Sequence, residues 1–150
     1  MAVPAEPFRV AAAVYGILQD RGRVLLIRRS ATGYRDGQLS LPAGHLDGGE
    51  DAVTGLVREL REELGIEADP QRCRLALLMH SAPEHPGDRE YFHLFFAVER
   101  WSGEPFIAEP GKCSELCWVE ASALPSDLAD YVAEGLAAIA RGDSLSLRGW

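Results

Sequence analysis

Apolar positions along the chain fall into short runs of two kinds. Arg9 to Leu18, RVAAAVYGIL, is almost continuously apolar and rich in β-formers, as expected of a buried strand. Gln19-Asp20-Arg21-Gly22 breaks the run, and Arg23 to Arg28 resumes it, which predicts a hairpin. Ser30 to Gln38, with two glycines, Tyr34 and several charges, reads as a surface loop. Leu39 to Gly44 is a short extended piece stopped by proline and glycine. Strands are further expected at Arg74–His80, although its leucines also suit a helix, at the aromatic Glu90–Trp101, and at Glu115–Val119. Ser81 to Arg89 and Gly103 to Ser114 connect them as loops.

A different rhythm governs Asp51 to Leu64. Val53, Leu56, Val57, Leu60 and Leu64 recur at i, i+3, i+4 and i+7, the buried stripe of an amphipathic helix. A second helix follows Pro125-Ser126-Asp127, where the serine or aspartate is free to cap. Leu128, Tyr131, Val132, Leu136 and Ile139 keep helical spacing up to Arg141, and Gly142 ends it. The tail to Trp150 has no strong pattern. Strands, helix, strands and helix in this order predict an α/β or α+β sandwich: a mixed sheet with helices on its faces. The 150 residues suit one domain, residues 1–150, without repeats or linkers.

Formal charge is −8, which disfavours a nucleic-acid polymer as partner and still permits a small phosphate ligand beside a bound cation. MAVPAEPFRV carries no basic segment followed by an apolar run, and no uncharged stretch is long enough for a bilayer, so a cytoplasmic protein is expected. Cys73, Cys113 and Cys117 match neither a disulfide framework nor a strong zinc spacing and are read as free thiols.

The first helix carries the candidate chemistry. Advancing about 100° per residue, Glu59, Glu62 and Glu63 converge beside the apolar stripe, at i, i+3 and i+4. Like charges at that spacing repel by roughly 0.2–0.5 kcal/mol per pair. A hard divalent cation offsets such a cost, and all-oxygen ligation favours Mg²⁺ or Mn²⁺ with substrate phosphates completing the shell. A backbone carbonyl of the preceding glycine loop, such as that of Gly44, is within reach of the same ion. Gly55 lies one turn before Glu59, and two readings are open: space for a phosphate, or a packing requirement.

The spacing itself is specific. Gly44, five residues, Glu50, seven residues, Arg58-Glu59-Leu60, one residue, Glu62-Glu63, one residue and Gly65-Ile66 together resemble a complete Nudix box. That resemblance implies a three-layer α/β/α sandwich and hydrolysis of a nucleoside diphosphate linked to another group. It implies metal binding by Glu59, Glu62 and Glu63 with the carbonyl of Gly44. It also gives Glu50 and Arg58 the task of stabilising the loop–helix–loop, the arginine orienting a carboxylate.

Outside the box, the segment Glu104 to Trp118 resembles MutT-like nucleoside triphosphate pyrophosphohydrolases. There a loop carboxylate joins the metals or acts as base, which makes Glu109 the candidate and Glu115 the reserve; a solvated loop glutamate is the alternative for both. Tyr34, Phe92, Phe95, Phe106 and Trp118 are candidate stacking rings for a nucleobase, each weighed against core packing. His45, beside Gly44, is a candidate phosphate contact. The expected activity is Mg²⁺-dependent cleavage of a nucleoside triphosphate to monophosphate and pyrophosphate. ADP-ribose or nucleotide-sugar hydrolysis is the alternative, and a nucleotide-sensing domain without turnover is the rival that the intact carboxylates oppose. Family members are often homodimers, which nothing in the sequence demands.

Overall fold

In the computed structural model, which describes Met1 and residues 5–150, the first apolar run becomes β1 (Ala11–Asp20). Its side chains divide by parity: Ala13, Tyr15 and Ile17 enter one core, Val14 and Leu18 the other. A strand covered on both faces reads as an unbroken apolar run, because neither parity is polar. β2 (Arg23–Arg29) repeats the division, with Val24 and Leu26 opposite Leu25 and Ile27. The two strands form the expected hairpin, Gln19 facing Val24 and Asp20 facing Arg23. At its tip Arg21 and Gly22 both have positive φ, 52° and 77°, which suits a two-residue turn matched to strand twist.

Next come β3 (Leu39–Ser40), β4 (Ala43–His45), α1 (Ala52–Leu64), β5 (Glu67–Ala68), a single 3₁₀ turn at Pro70–Arg72, and β6 (Cys73–Ser81). The chain continues through β7 (Tyr91–Val98), β8 (Trp101–Ser102), β9 (Cys113–Glu120), α2 (Asp130–Ala140) and β10 (Leu145–Arg148). Across the main sheet the order is β10-β6-β7-β1-β2-β3, with β4 also on β1 and β9 on β2. β1 and β7 run parallel, as do β6 and β10, and the remaining pairs are antiparallel, so the sheet is mixed as expected. β5 and β8 form a separate small pair.

α2 covers one face, where Tyr131, Val132 and Ala138 meet Tyr15, Met79 and Phe95. α1 covers the other, where Leu56, Leu60 and Leu64 meet Val14, Leu18 and Phe96. The result is the three-layer α/β/α sandwich. Each fully buried leucine of α1 contributes about 1.5–3 kcal/mol of transfer free energy, so this helix is held chiefly by its stripe.

The structure corrects several local expectations. α2 begins at Asp130, and neither Ser126 nor Asp127 caps it: Asp127 accepts instead from Arg28 Nη1 at 2.7 Å, and the N-cap residue is Ala129. The aromatic strand stops at Val98, and Trp101 belongs to β8. β9 extends from Cys113 to Glu120, beyond the expected 115–119. The patternless tail contains β10, whose partner β6 lies more than sixty residues away in sequence. Its leucines, Leu145 and Leu147, stay exposed, so its composition carries no burial signal.

Candidate active site

α1 is delimited by local chemistry. The Asp51 carboxylate caps its start, accepting from the Thr54 amide at 2.9 Å and the Thr54 hydroxyl at 2.8 Å. Gly65 ends it in the left-handed region, φ 65°, donating to the Arg61 carbonyl. Within these limits Arg58 organises the polar face. Its Nε and Nη2 donate to the two oxygens of Glu50 at 3.0 and 2.7 Å, a bidentate pair. Its Nη1 donates to Glu59 at 2.8 Å and Glu62 at 3.3 Å, and Nη2 also reaches the His45 carbonyl at 3.1 Å. One guanidinium thus ties the loop before the helix to two carboxylates on it. Arg58 holds the Glu50 carboxyl down to about 2, helped by the Asp47 amide.

Glycines let the loop lie on the helix. A Cβ on Gly44 would stand 2.0 Å from Glu59 Cδ, so only glycine leaves room for that carboxylate. A Cβ on Gly55 would meet Leu46 at 2.4 Å and Glu50 at 3.1 Å. Of the two readings of Gly55, the structure favours packing: the glycine seats Leu46 and Glu50.

Glu63 is more deeply placed than its neighbours, accepting from the Ala43 amide at 3.1 Å. Burial pushes its carboxyl up to about 8, against that amide, and the nearby Glu59 and Glu109 add to the rise. Burial likewise raises Glu59, opposed by Arg58 and reinforced by Glu62 and Glu109. Glu109 reaches this place because its loop is hydrogen-bonded to the end of α1: Phe106 N–H donates to the Leu64 carbonyl at 3.1 Å, and Ala108 N–H to the Glu63 carbonyl at 3.0 Å.

Gly44, Glu59, Glu63 and Glu109 line one end of a cleft of about 620 Å³. Glu62 does not line it and is half exposed on the helix surface, bonded to Arg58. Among the described residues, no three His, Cys, Asp or Glu side chains are set as a metal-holding group, and Arg58 engages oxygens of Glu59 and Glu62. The donor set nevertheless fits a hard cation. It is all oxygen, and burial, with a smaller contribution from mutual repulsion, raises two of its carboxyls, a cost that a divalent ion offsets.

Aromatic side chains line the rest of the cleft. His93 stands at its floor, Nδ1 paired with the Tyr15 hydroxyl at 2.9 Å and Nε2 with the Ser81 hydroxyl at 2.8 Å. It stacks between Tyr91 and Tyr131, with ring centroids at 5.3 and 5.4 Å. Burial, with Arg148 nearby, holds His93 down to about 4, so the ring is neutral at pH 7. Tyr34 closes the row, 6.4 Å from Tyr131 and flanked by the guanidinium groups of Arg29 and Arg35.

Of the candidate substrate contacts, Tyr34 and His45 line the cleft, His45 Nε2 lying 3.2 Å from the Tyr91 hydroxyl. Phe92 does not. Strand parity turns it away from Tyr91 and His93, onto His80 at 4.8 Å. Glu115 is also outside, paired with Arg28 Nε at 2.6 Å across β2 and β9. The other three rings serve packing: Phe95 is fully buried, Phe106 covers Gly65, and Trp118 stacks on Trp101. Tyr15, Tyr91, His93 and Tyr131 were missed as a group. Parity on β7 pairs Tyr91 with His93, but nothing local joins them to β1 or α2.

Fold and site now coincide with a known class. Residues 7–139 match the NUDIX domain, and the chain belongs to the Nudix hydrolase family, whose members act on phosphoric anhydride bonds and generally use divalent metals. It is 34% identical over 111 residues to the 8-oxo-dGTP diphosphatase of Escherichia coli (strain K12), covering 73% of this chain and 82% of that protein. It is 28% identical over 105 residues to an ADP-ribose pyrophosphatase of Methanocaldococcus jannaschii, covering 70% of this chain and 60% of that one. Among solved structures, the MutT NUDIX hydrolase from Burkholderia pseudomallei superposes with a TM-score of 0.78 at 26% identity, over 87% of this chain and 98% of that one. No helix among the described residues is long and apolar enough to cross a membrane.

Proposed function

We propose that residues 1–150 form one Nudix domain that hydrolyses a nucleoside triphosphate to the monophosphate and pyrophosphate, in the cytoplasm and with Mg²⁺. The observation that carries this reading is the polarity of the cleft: Glu59, Glu63 and Glu109 at one end, an aromatic row ending in Tyr34 at the other. Phosphates belong at the first end and a base with a π-face at the second. The resemblance to 8-oxo-dGTP diphosphatases supports a triphosphate. Glu59, Glu62, Glu63 and the Gly44 carbonyl are the groups that would hold Mg²⁺ or Mn²⁺, which would supply polarisation of the phosphoryl oxygens and acidification of water.

The chain's own residues have separable tasks. Arg58 orients Glu59 and Glu62 while Glu50 anchors the guanidinium. Water oxygen bonds to phosphorus as the bridging P–O bond breaks, and we assign its proton to the carboxylate of Glu109. His45 faces the phosphates from the loop, and Tyr34 offers a stacking face. Catalysis is then positioning and charge neutralisation.

Incubation of the protein with Mg²⁺ and a panel of dNTPs, NTPs, ADP-ribose and nucleotide sugars, with products separated, tests the proposal. Monophosphate and pyrophosphate from a triphosphate are expected. Turnover of ADP-ribose alone would replace the substrate, a reading that the 28% identical pyrophosphatase supports. Metal-dependent binding without cleavage of any compound would refute the enzyme.

A further inference from the structure

At the end of the cleft away from Glu63, four charged side chains close a ring. Arg35 Nη2 lies 2.5 Å from Glu84 Oε1, and Arg35 Nη1 lies 2.9 Å from Asp130 Oδ1. Arg148 completes the circuit, Nη1 reaching Glu84 Oε1 and Nη2 reaching Asp130 Oδ2, both at 2.9 Å. Its third nitrogen, Nε, donates to Glu134 at 3.0 Å. Each member comes from a different element: the loop of residues 30–38, the loop of residues 82–90, the first turn of α2, and β10. Both loops border the cleft, through Tyr34 and Thr32 on one and Glu84 and Asp88 on the other.

The ring constrains what it joins. Arg35 has φ 53°, a left-handed backbone uncommon for a non-glycine residue. Its side chain also lies 5.5 Å from the Tyr34 ring and 5.7 Å from Tyr131, so fixing Arg35 fixes the aromatic end of the cleft. Arg148 is indispensable to the geometry because its planar fork serves three carboxylates with three separate nitrogens, which one ammonium cannot. Only about a fifth of either arginine side chain is exposed, so the pairs are less screened than open surface pairs. β10 and Arg148 lie beyond residues 7–139, the span matched to the NUDIX domain, so the family match assigns them nothing.

We propose that Arg148 is a positioning residue: from β10 it clasps the loops of residues 30–38 and 82–90 together and thereby fixes the end of the cleft that receives the group beyond the phosphates. This rests on the hydrolase reading for its kinetic consequence and on geometry alone for its structural one. The clasp touches neither Glu59, Glu63 nor Glu109, so it sets how well substrate is held and leaves the chemical step to the other end.

The experiment compares wild type, Arg148→Gln and Arg148→Lys as full chains, by hydrogen exchange and by steady-state kinetics on a nucleoside triphosphate with Mg²⁺. Exchange in both loops should rise about threefold to fivefold in Arg148→Gln. KM should rise about tenfold with kcat held within about twofold. Arg148→Lys should behave like the glutamine variant, because charge without the fork does not close the ring. Unchanged exchange in the two loops, a fall in kcat at constant KM, or a lysine variant equal to wild type would each overturn the proposal. If Arg148→Gln releases β10 altogether, Arg35→Gln opens the same ring from the other side. Exchange at residues 82–90 must then rise, and an unchanged value counts against the clasp. Absence of turnover by wild type defeats the hydrolase reading, and the exchange comparison still decides the clasp.

Discussion

The two ends of the cleft use arginine and carboxylate in opposite proportions. At the α1 end one guanidinium, Arg58, serves Asp47, Glu50, Glu59 and Glu62, while Glu63 accepts from the Ala43 amide within the field of Arg29 and Glu109 pairs with Lys112 at 3.4 Å, so carboxylates outnumber cations two to one. At the far end Arg35 and Arg148 face Glu84, Asp130 and Glu134, close to balance. The first arrangement leaves negative charge unneutralised, and burial raises the carboxyls that carry it. The second is satisfied within the protein and has nothing left to offer a ligand. The difference separates a place built to receive positive charge from one built to hold shape.

The sharpest way to break the comparison is at the unbalanced end. Glu63→Gln or Glu62→Gln should lower kcat/KM by about two orders of magnitude or more, the scale of removing one electrostatic contact to a transition state. The circular dichroism spectrum should stay that of wild type; a rate unchanged by either substitution would remove the metal-ligand assignment. Between the ends, His93 is buried and neutral with its pKa at about 4, against 6.5 unfolded. The unfolded chain therefore binds the extra proton between those values. His93 contributes no penalty above pH 6.5, and stability falls as pH drops toward 4, by about 3 kcal/mol from this group. Urea titrations at intervals across that range should show the slope in wild type and a flatter one in His93→Gln.

Gly44→Ala tests the contact between loop and helix. Its methyl group collides with the Glu59 carboxylate, so the unfolding free energy should fall by about 1–3 kcal/mol, with activity lost alongside. The smallest expected effect is at the balanced end. Arg148→Gln should cost about 1 kcal/mol or less of global stability, since partly exposed ion pairs contribute little, and the loss should shrink further in high salt. A cost there matching that of Gly44→Ala would show the clasp to be a folding element rather than a local one.

Legibility from the sequence followed the range of the interactions. The stripe of α1 and its carboxylate face act within one or two turns, and both are visible in the order of residues. The buried β1–β2 hairpin was legible for the same reason. Phe92 and Glu115 lie outside the cleft because an exposed ring and an exposed carboxylate satisfy several local patterns equally, and strand pairing chose their faces. β10 escaped because the alternation Leu145-Ser146-Leu147-Arg148 is only four residues long, its leucines remain outside, and its partner strand is distant in sequence.

By itself, the sequence determined the chemistry: which helix bears the carboxylates, which glycines admit them, and which bond class they are suited to break. The periodicity of a helix and the spacing of a motif are short-range properties, fixed before the chain folds. Tertiary structure decided the rest of the cleft. It brought Glu109 to Glu63 through two backbone hydrogen bonds, set His93 against Tyr15 across two strands, and closed the ring of Arg35, Glu84, Arg148 and Asp130 from four separate segments. Those contacts depend on how strands pair and layers stack, and no local pattern of residues encodes that.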